Sequence, residues 1–268
     1  MEILYSLLDP TGNLTILVET PVAVSAQPRV AALLMAQEPM AEQVGFLSPG
    51  GEGYDLALRM AGGEFCGNAA MSAAALLHLR NFLPDGICRV SVSGAERPVE
   101  VEVRGDGSDY ACFCRVEMPR PLRIGEAFGA PLVEFPGISH QILTVPTSRA
   151  AAEAAVKERC AALGAEALGL MLLSRDGASL TPLVYVPGAE TLCWESSCAS
   201  GTAAVGAHFA AKYGAETTLS LREPGGVLRV TAAPDGAIFL AGRARICKMS
   251  HLELPDAGET AISSEKKC

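Results

Sequence analysis

The chain has 268 residues, of which 49% are hydrophobic and 19% are charged, and its formal net charge is -9. This composition excludes a disordered chain, and an acidic protein without a lysine or arginine cluster is a poor partner for nucleic acid or an anionic membrane. The first residues, MEILYSLLDP, lack the segments of a secretory signal, and no apolar run reaches membrane-spanning length. Nine cysteines, an odd number, do not indicate a disulfide scaffold. We therefore expect a reduced, soluble and cytoplasmic enzyme.

The pattern of apolar residues predicts alternating strands and helices. In the first half these are a strand at 14–18, a helix at 29–37, a strand at 43–47, a helix at 68–80, and strands at 89–93, 99–103 and 110–116. The second half repeats the order, with a strand at 140–145, a helix at 148–163, strands at 170–174 and 183–186, a helix at 202–213, and strands at 218–222, 228–231 and 238–240. The repeat predicts two domains, residues 1–119 and 120–268, of which 256–268 form a polar, frayed tail.

The helices at 68–80 and 202–213 carry small or apolar residues on every face, as in AAMSAAALLHL and TAAVGAHFAA. A surface helix has one polar face, so neither of these helices lies at the surface. In a strand-rich chain we expect a sheet to surround each of them. The fold class is therefore predicted as α/β (α+β), with Gly164 and Gly214 ending the helices of the second half.

Each of the two apolar helices is preceded by a cysteine, Cys66 in FCGNAA and Cys198 in SCASGT. A helix N-terminus offers free N–H groups and a positive dipole, which attract anions and lower the pKa of a thiol. In a pseudo-twofold arrangement the two cysteines face each other across a cleft, with a small carboxylate between the helix ends. One thiolate then removes an α-proton and the other thiol returns a proton to the opposite face, which inverts the carbon without a cofactor.

The motifs around these cysteines resemble those of the diaminopimelate epimerase-like superfamily, which includes proline racemases and phenazine-type isomerases. The resemblance covers nearly the whole chain and rests on Gly12-Asn13, Ala41-Glu42-Gln43, Cys66-Gly67-Asn68-Ala69 and Cys198-Ala199-Ser200-Gly201. It implies two pseudo-symmetric domains, each a mostly antiparallel sheet curled around a central helix. It also implies cofactor-independent, two-base catalysis by Cys66 and Cys198, and a homodimer.

Departures from the epimerase pattern argue against diaminopimelate as the substrate. Met60 and Ile138 stand where the epimerases have asparagines that hold the second amino-acid group of diaminopimelate. A charged group buried there without partners would be strongly destabilising. The run WESSC at 194–198 is instead similar to that of histidine racemases from opine-type (staphylopine-type) metallophore biosynthesis. Together with MAGGEFC at 60–66, this resemblance implies racemisation of histidine.

The resemblance and the chemistry of an α-amino acid together indicate the substrate contacts. The predicted donors to the substrate carboxylate are the backbone N–H groups of Gly67, Asn68, Ala199, Ser200 and Gly201. Glu195 is the candidate for the substrate ammonium, with Asn13 and Gln43 assisting and Glu190 as the alternative. Trp194 either stacks on an imidazole or belongs to the core. A small amino acid is the predicted partner, with no metal and no cofactor.

Other interpretations explain fewer of these residues. A zinc site requires Cys and His at ligand spacing, and a cysteine hydrolase pairs one thiol with a histidine, for which His140 is the candidate. The alternatives that remain are a diaminopimelate epimerase, a racemase of another amino acid, and a phenazine-type isomerase or binding protein of the same fold. The other cysteines before the tail are predicted to be small buried hydrophobes: Cys88, Cys112, Cys114, Cys160, Cys193 and Cys247.

Overall fold

The computed structural model describes residues 2–145 and 147–253; of Ala189 it describes the backbone. The α-helices of these residues are α1 (Gln27–Gln37), α2 (Gly67–Leu79), α3 (Arg149–Leu163) and α4 (Ala199–Tyr213). The strands are β1 (Glu2–Pro10), β2 (Thr15–Val18), β3 (Gln43–Gly51), β4 (Tyr54–Met60), β5 (Gly86–Val92), β6 (Val99–Ser108), β7 (Ala111–Met118), β8 (Arg123–Ala127), β9 (Ala130–Phe135), β10 (Ile138–Leu143), β11 (Leu168–Leu173), β12 (Leu180–Val186), β13 (Thr191–Trp194), β14 (Thr217–Glu223), β15 (Gly226–Ala232) and β16 (Ile238–Glu253). No helix in this described part has the length and apolar character that crossing a bilayer requires.

Eight strands close into a barrel around α2. Their order is β1-β2-β3-β4-β5-β6-β7-β16, and β16 pairs again with β1. Most neighbouring strands are antiparallel, whereas β2–β3 and β4–β5 are parallel. The first ten residues of α2, Gly67 to Leu76, are all buried, and most of them are small. Because small side chains let strands approach on every side, this helix forms the centre of the barrel, and the predicted curled sheet is confirmed.

The second sheet has the order β13-β12-β11-β10-β9-β8 and separates α3 from α4. Along β11, Leu168 and Leu170 pack with α3, whereas Met171 and Leu173 pack on the α4 side. This alternation is the two-residue period of a strand whose two faces are both covered. The helix α4 also packs against β14, β15 and β16, so it too is enclosed by strands. Left-handed glycines end α3 and α4 at Gly164 and Gly214, as predicted.

Strand β16 joins the two halves of the chain. Its residues 238–241 pair with β15, 238–245 with β7, and 244–253 with β1. The last strand of the second half therefore completes the barrel of the first half. The division into domains 1–119 and 120–268 stays a prediction, and the pairing of β16 spans it.

Five strands were absent from the sequence prediction: β1, β4, β8, β9 and β13. In β1 the consecutive residues from Tyr5 to Leu8 are buried, so the alternation that marks a half-exposed strand is missing. Strands β8 and β13 form the two edges of the second sheet, where short, largely exposed strands give a weak pattern. Strand β16 is much longer than the predicted 238–240, and the helix predicted at 202–213 begins at Ala199. The predicted tail, 256–268, lies outside the described residues.

Two glycine turns bring distant parts of the chain into contact. Gly12, with a φ of +97°, follows β1, and a Cβ added to Gly12 would lie 2.3 Å from the Cα of Gly225, in the turn after β14.

We expect Gly12→Ala to lower the free energy of unfolding by about 2–5 kcal/mol, from the left-handed conformation plus the backbone clash. Gly53→Ala is the matched control, because Gly53 has a φ of +82° and open space around the added Cβ. It should cost about 1–2 kcal/mol. Urea unfolding measures both losses, and equal losses would contradict the argument.

Candidate active site

Cys66 is the N-cap residue of α2. Its extended backbone, with φ of -135° and ψ of 112°, leads the chain into the helix. The Cys66 sulfur accepts a hydrogen bond from the Ala69 N–H at 3.4 Å and donates one to Gln43 Oε1 at 3.0 Å. A helix N–H directed at sulfur favours the thiolate form, so the first turn of α2 supports a negative charge at Cys66.

A network of amides holds Gln43 in place behind Cys66. Gln43 Nε2 donates to Asn13 Oδ1 at 2.5 Å and to Thr15 Oγ1 at 2.8 Å. Asn13 Nδ2 in turn donates to Glu42 Oε2 at 2.5 Å. Two residues predicted to assist the substrate ammonium, Asn13 and Gln43, are therefore joined to each other and, through Gln43, to the Cys66 thiol.

Cys198 is the N-cap residue of α4, with nearly the backbone conformation of Cys66 (φ of -125°, ψ of 102°). It is buried, and its sulfur lies 3.7 Å from Ser200 Oγ and against the Glu195 carboxyl group. The Gly201 N–H approaches this sulfur without completing a cap hydrogen bond. The two cysteines thus occupy equivalent positions with different polar neighbours.

The two cysteine motifs meet at Ser197. The Ser197 carbonyl accepts hydrogen bonds from Asn13 Nδ2 at 3.3 Å and from Asn68 Nδ2 at 3.4 Å. A Cβ added to Gly67, the first residue of α2, would lie 3.4 Å from the Cβ of Ala199, the first residue of α4. Within the described residues, Asn68 Oδ1 and Ser197 Oγ are buried without a hydrogen-bond partner. Two helix N-termini with open polar groups therefore lie side by side, an arrangement that suits a small polar anion.

Three carboxyl groups lie at the segment that carries Cys198: Glu195 and Glu223 act on Cys198 itself, and Glu42 accepts the backbone N–H of Ser196 at 3.3 Å. Burial raises the pKa of Glu195 to about 7 and that of Glu223 to about 8, and it also raises the pKa of Glu42. The charge of Glu42 adds to the shift at Glu195, and the charges of Glu195 and Glu42 add to the shift at Glu223. Like charges that are largely withdrawn from water are stabilised by a cation or by shared protons, so this cluster suits an ammonium group.

Burial also raises the pKa of both thiols. The pKa of Cys66 rises to about 12, although the N–H groups of Ala69 and Asn68 and the hydrogen bond with Gln43 lower it. The pKa of Cys198 rises well above its ordinary range, because the charges of Glu195 and Glu223 add to burial. The expectation that the helix ends leave both thiols with lowered pKa values is therefore wrong in this structure, since the loss of solvent outweighs the helix N–H groups.

His140 does not pair with a cysteine. It is fully buried, and its Nε2 lies 2.8 Å from Ser200 Oγ, which stands between the ring and the Cys198 sulfur. Burial lowers the pKa of His140 to about 3, so the ring is neutral at physiological pH. A cysteine hydrolase needs the histidine against the thiol as its base. The geometry therefore gives no support to the hydrolase interpretation.

Two other predicted positions lie in different surroundings, one exposed to solvent and one packed on a helix. Glu190 is exposed, in a left-handed conformation after a short 3₁₀ helix. Trp194 packs on α3, where its Nε1 donates to Glu153 Oε1 at 2.7 Å and the Arg149 guanidinium lies 4.7 Å from the ring centre. Trp194 thus belongs to the packing of α3. The cysteines predicted to be buried are buried at Cys88, Cys112, Cys114 and Cys160 and exposed at Cys193 and Cys247.

Sequence reasoning missed Glu223. Along β14 the burial alternates, with exposed Thr218, Ser220 and Arg222 on one face. The other face carries Leu219 and Leu221, and Glu223 follows at the next inward position. A carboxylate at an inward strand position is the signal that identifies it, because such a group is stable only with partners.

Solved structures that share this fold include epimerases and a phenazine biosynthesis protein. A predicted epimerase from Pseudomonas aeruginosa superposes with a TM-score of 0.72 at 18% identity, over 94% of this chain and 100% of that one. A hydroxyproline epimerase from Agrobacterium vitis gives a TM-score of 0.65 at 12% identity, over 96% and 94%. A phenazine biosynthesis PhzF-family protein from Enterococcus faecalis gives 0.64 at 15% identity, over 95% and 100%. The chain therefore has the epimerase-like fold that its sequence predicts.

Sequence comparison narrows this class to one family. Residues 2–239 match the family described as the histidine racemase CntK N-terminal domain. A histidine racemase from Fusobacterium nucleatum subsp. nucleatum is 33% identical over 218 residues, which cover 77% of this chain and 80% of that protein. A histidine racemase from Staphylococcus aureus is 31% identical over 245 residues, which cover 85% and 88%. The chain belongs to the histidine racemase family, and it is an isomerase.

Proposed function

We propose that the protein interconverts L- and D-histidine by moving the α-proton between Cys66 and Cys198, without a cofactor. The observation that carries this proposal is the meeting of two cysteine-capped helices at Ser197. The substrate named for its relatives, histidine, supports the choice of amino acid. An opine-type metallophore pathway as the consumer of D-histidine, a cytoplasmic location and a homodimer remain predictions.

The charged groups of the substrate match the two polar features of the site. The substrate carboxylate accepts hydrogen bonds from backbone N–H groups at the two helix N-termini. These are the N–H groups of Gly67, Asn68, Ala199, Ser200 and Gly201. The substrate ammonium lies against Glu195, and its charge offsets that of the carboxyl cluster. Because a nearby cation favours a thiolate, substrate binding lowers the pKa of both thiols from their buried values.

The proton then crosses the α-carbon in two steps. The Cys66 thiolate takes the α-proton of one enantiomer, and the C–H electron pair passes into the substrate carboxylate as an enediolate, which the helix N–H groups stabilise. The Cys198 thiol gives its proton to the opposite face of the carbon. After the product enantiomer has formed, Cys66 is a thiol and Cys198 is a thiolate. The reverse reaction uses the same steps with the roles of the two cysteines exchanged.

The two cysteines differ in how readily they lose a proton once the substrate is bound. The Cys66 sulfur accepts the Ala69 N–H, which favours a negative charge. Cys198 faces Glu195 and Glu223, whose charges disfavour a second anion. In the free protein the raised pKa values keep both side chains as thiols, and we assign the thiolate that forms on substrate binding to Cys66 and the remaining thiol to Cys198.

The test is α-proton exchange in D₂O, followed by NMR and chiral analysis of the products. L-histidine, L-proline and LL-diaminopimelate are offered separately. We expect exchange and D-isomer formation with histidine, at rates at least about 100-fold above those of the other two, because the pocket must satisfy the polar groups of its own substrate. Exchange with diaminopimelate alone would identify an epimerase. No exchange with any of the three would refute histidine as the substrate of this protein.

A further inference from the structure

Glu223 is the one carboxylate that is buried in the described ranges 2–145 and 147–253, with 3% of its surface exposed. It ends β14 and is followed by the Pro224-Gly225 turn. Burying a carboxyl group is unfavourable unless hydrogen bonds or a cation compensate for the lost water. The two-base mechanism above assigns no step to this residue, so its burial requires another explanation.

Both oxygens of Glu223 bind the start of α4. Oε2 accepts the backbone N–H of Cys198 at 2.7 Å, and Oε1 accepts the hydroxyl of Thr202, one helical turn further on. The turn that follows Glu223 binds the same segment, because the Gly225 N–H donates to the Ser196 carbonyl at 2.7 Å. The end of β14 and the turn after it therefore bind the segment that carries Cys198 on both sides of that residue, at Ser196 and at Thr202.

Among the residues that the structure describes, no carboxylate supports the backbone of the first cysteine in this way. Cys66 anchors itself, since its own sulfur caps α2 through the Ala69 N–H and bonds to Gln43. Cys198 completes no cap hydrogen bond with its sulfur. Its backbone must therefore be fixed by another group if the sulfur is to stay directed at a reacting carbon.

We infer that Glu223 is the positioning residue of Cys198, holding the N-cap backbone and the first turn of α4 so that the sulfur is free to exchange a proton with the substrate. This inference rests on the proposed two-cysteine function. Glu223 touches no reacting atom, and the groups that titrate around it are Cys198, Glu195 and Glu42. Its loss should therefore impair the half of the reaction that Cys198 performs and leave the half performed by Cys66.

Measurements in D₂O distinguish the two halves of the reaction, because exchange reports deprotonation and inversion reports both steps. For the enantiomer that Cys66 deprotonates, identified as the one that Cys198→Ser still exchanges, Glu223→Ala should retain exchange within about tenfold. Its inversion should fall by about 100-fold, because a misplacement of about 1 Å has that cost. For the other enantiomer Cys198 is the base, so exchange and inversion should fall together. The ratio of exchange to inversion thus rises for one enantiomer, which a general loss of folded protein cannot produce.

Three further variants complete the test. Glu223→Gln keeps an acceptor for the Cys198 N–H and a partner for the Thr202 hydroxyl, so it should retain most of the activity. Thr202→Val removes one of the two contacts of Glu223 with little change of shape. It should raise the ratio of exchange to inversion by less than Glu223→Ala does, and it replaces that variant in the test if Glu223→Ala does not fold. Glu216→Ala, an exposed glutamate just before β14, is the matched control and should behave as wild type.

The outcomes distinguish the inference from the function beneath it. A wild-type protein that does not exchange histidine refutes both. Wild-type racemisation with an unchanged ratio in Glu223→Ala, or in Thr202→Val where that variant replaces it, refutes the inference alone. Glu223→Gln losing as much as Glu223→Ala would also overturn it, because hydrogen-bonding capacity would then not be what Glu223 provides.

Discussion

Cys66→Ser and Cys198→Ser are each expected to lower kcat for histidine racemisation by about 10²–10⁴-fold. A serine hydroxyl preserves the shape of the side chain but is a far weaker acid than a thiol, so it neither takes nor returns the α-proton efficiently. The measurement is the approach of either pure enantiomer to the racemic mixture, followed by chiral chromatography. Full activity in either variant would contradict the two-base mechanism.

Cys247→Ser is the control for these substitutions. Cys247 is an exposed cysteine on β16, and the mechanism gives it no role. This variant should racemise histidine at the wild-type rate, which shows that replacing a thiol does not by itself reduce activity. The two catalytic variants should also differ from each other, since each retains α-proton exchange with the enantiomer that the remaining cysteine deprotonates.

Glu195→Gln is expected to raise KM for histidine by about 10–100-fold. A hydrogen bond to a charged group contributes about 1.5–3 kcal/mol, which corresponds to that range. Glu190→Gln is the matched control, because Glu190 is exposed and lies five positions earlier in the chain. Steady-state kinetics of both variants decide between the two glutamates. A raised KM in Glu190→Gln alone would move the ammonium site to Glu190.

The wild-type KM should also depend on pH through Glu195. Burial raises the pKa of Glu195 to about 7, so the carboxylate is charged above that pH and becomes protonated as the pH falls through it. A protonated carboxyl group does not hold an ammonium ion. KM should therefore rise by about tenfold for each pH unit below about pH 7, and it should rise by less in Glu195→Gln, where the imidazole of the substrate still titrates in this range. A wild-type KM that is independent of pH between 5 and 8 would contradict this assignment.

The sequence determined the features that depend on local pattern. Two helices that are apolar on every face must be enclosed, and a cysteine directly before each of them is recognisable without knowing any partner. The α-helices and the left-handed glycines after α3 and α4 follow from periodicity and local turn chemistry, whereas the epimerase-like fold was implied by the resemblance of the cysteine motifs to a known family. The strands at the edges of the second sheet could not be predicted in this way. Their sequences lack a clear alternation of apolar residues, and pairing with a neighbouring strand stabilises them instead.

Only the tertiary structure decided the features that depend on distant residues. The pairing of β16 with β1 joins positions more than 230 residues apart. The Ser197 carbonyl accepts hydrogen bonds from Asn13 and Asn68, which lie in the first half of the chain. The raised pKa of Cys198 needs both burial and the charge of Glu223, which local sequence does not bring together. A helix N-terminus is visible in a sequence, but the water removed from around it is not. For this reason the sequence correctly placed both cysteines at helix N-termini and misjudged the direction of their pKa shifts.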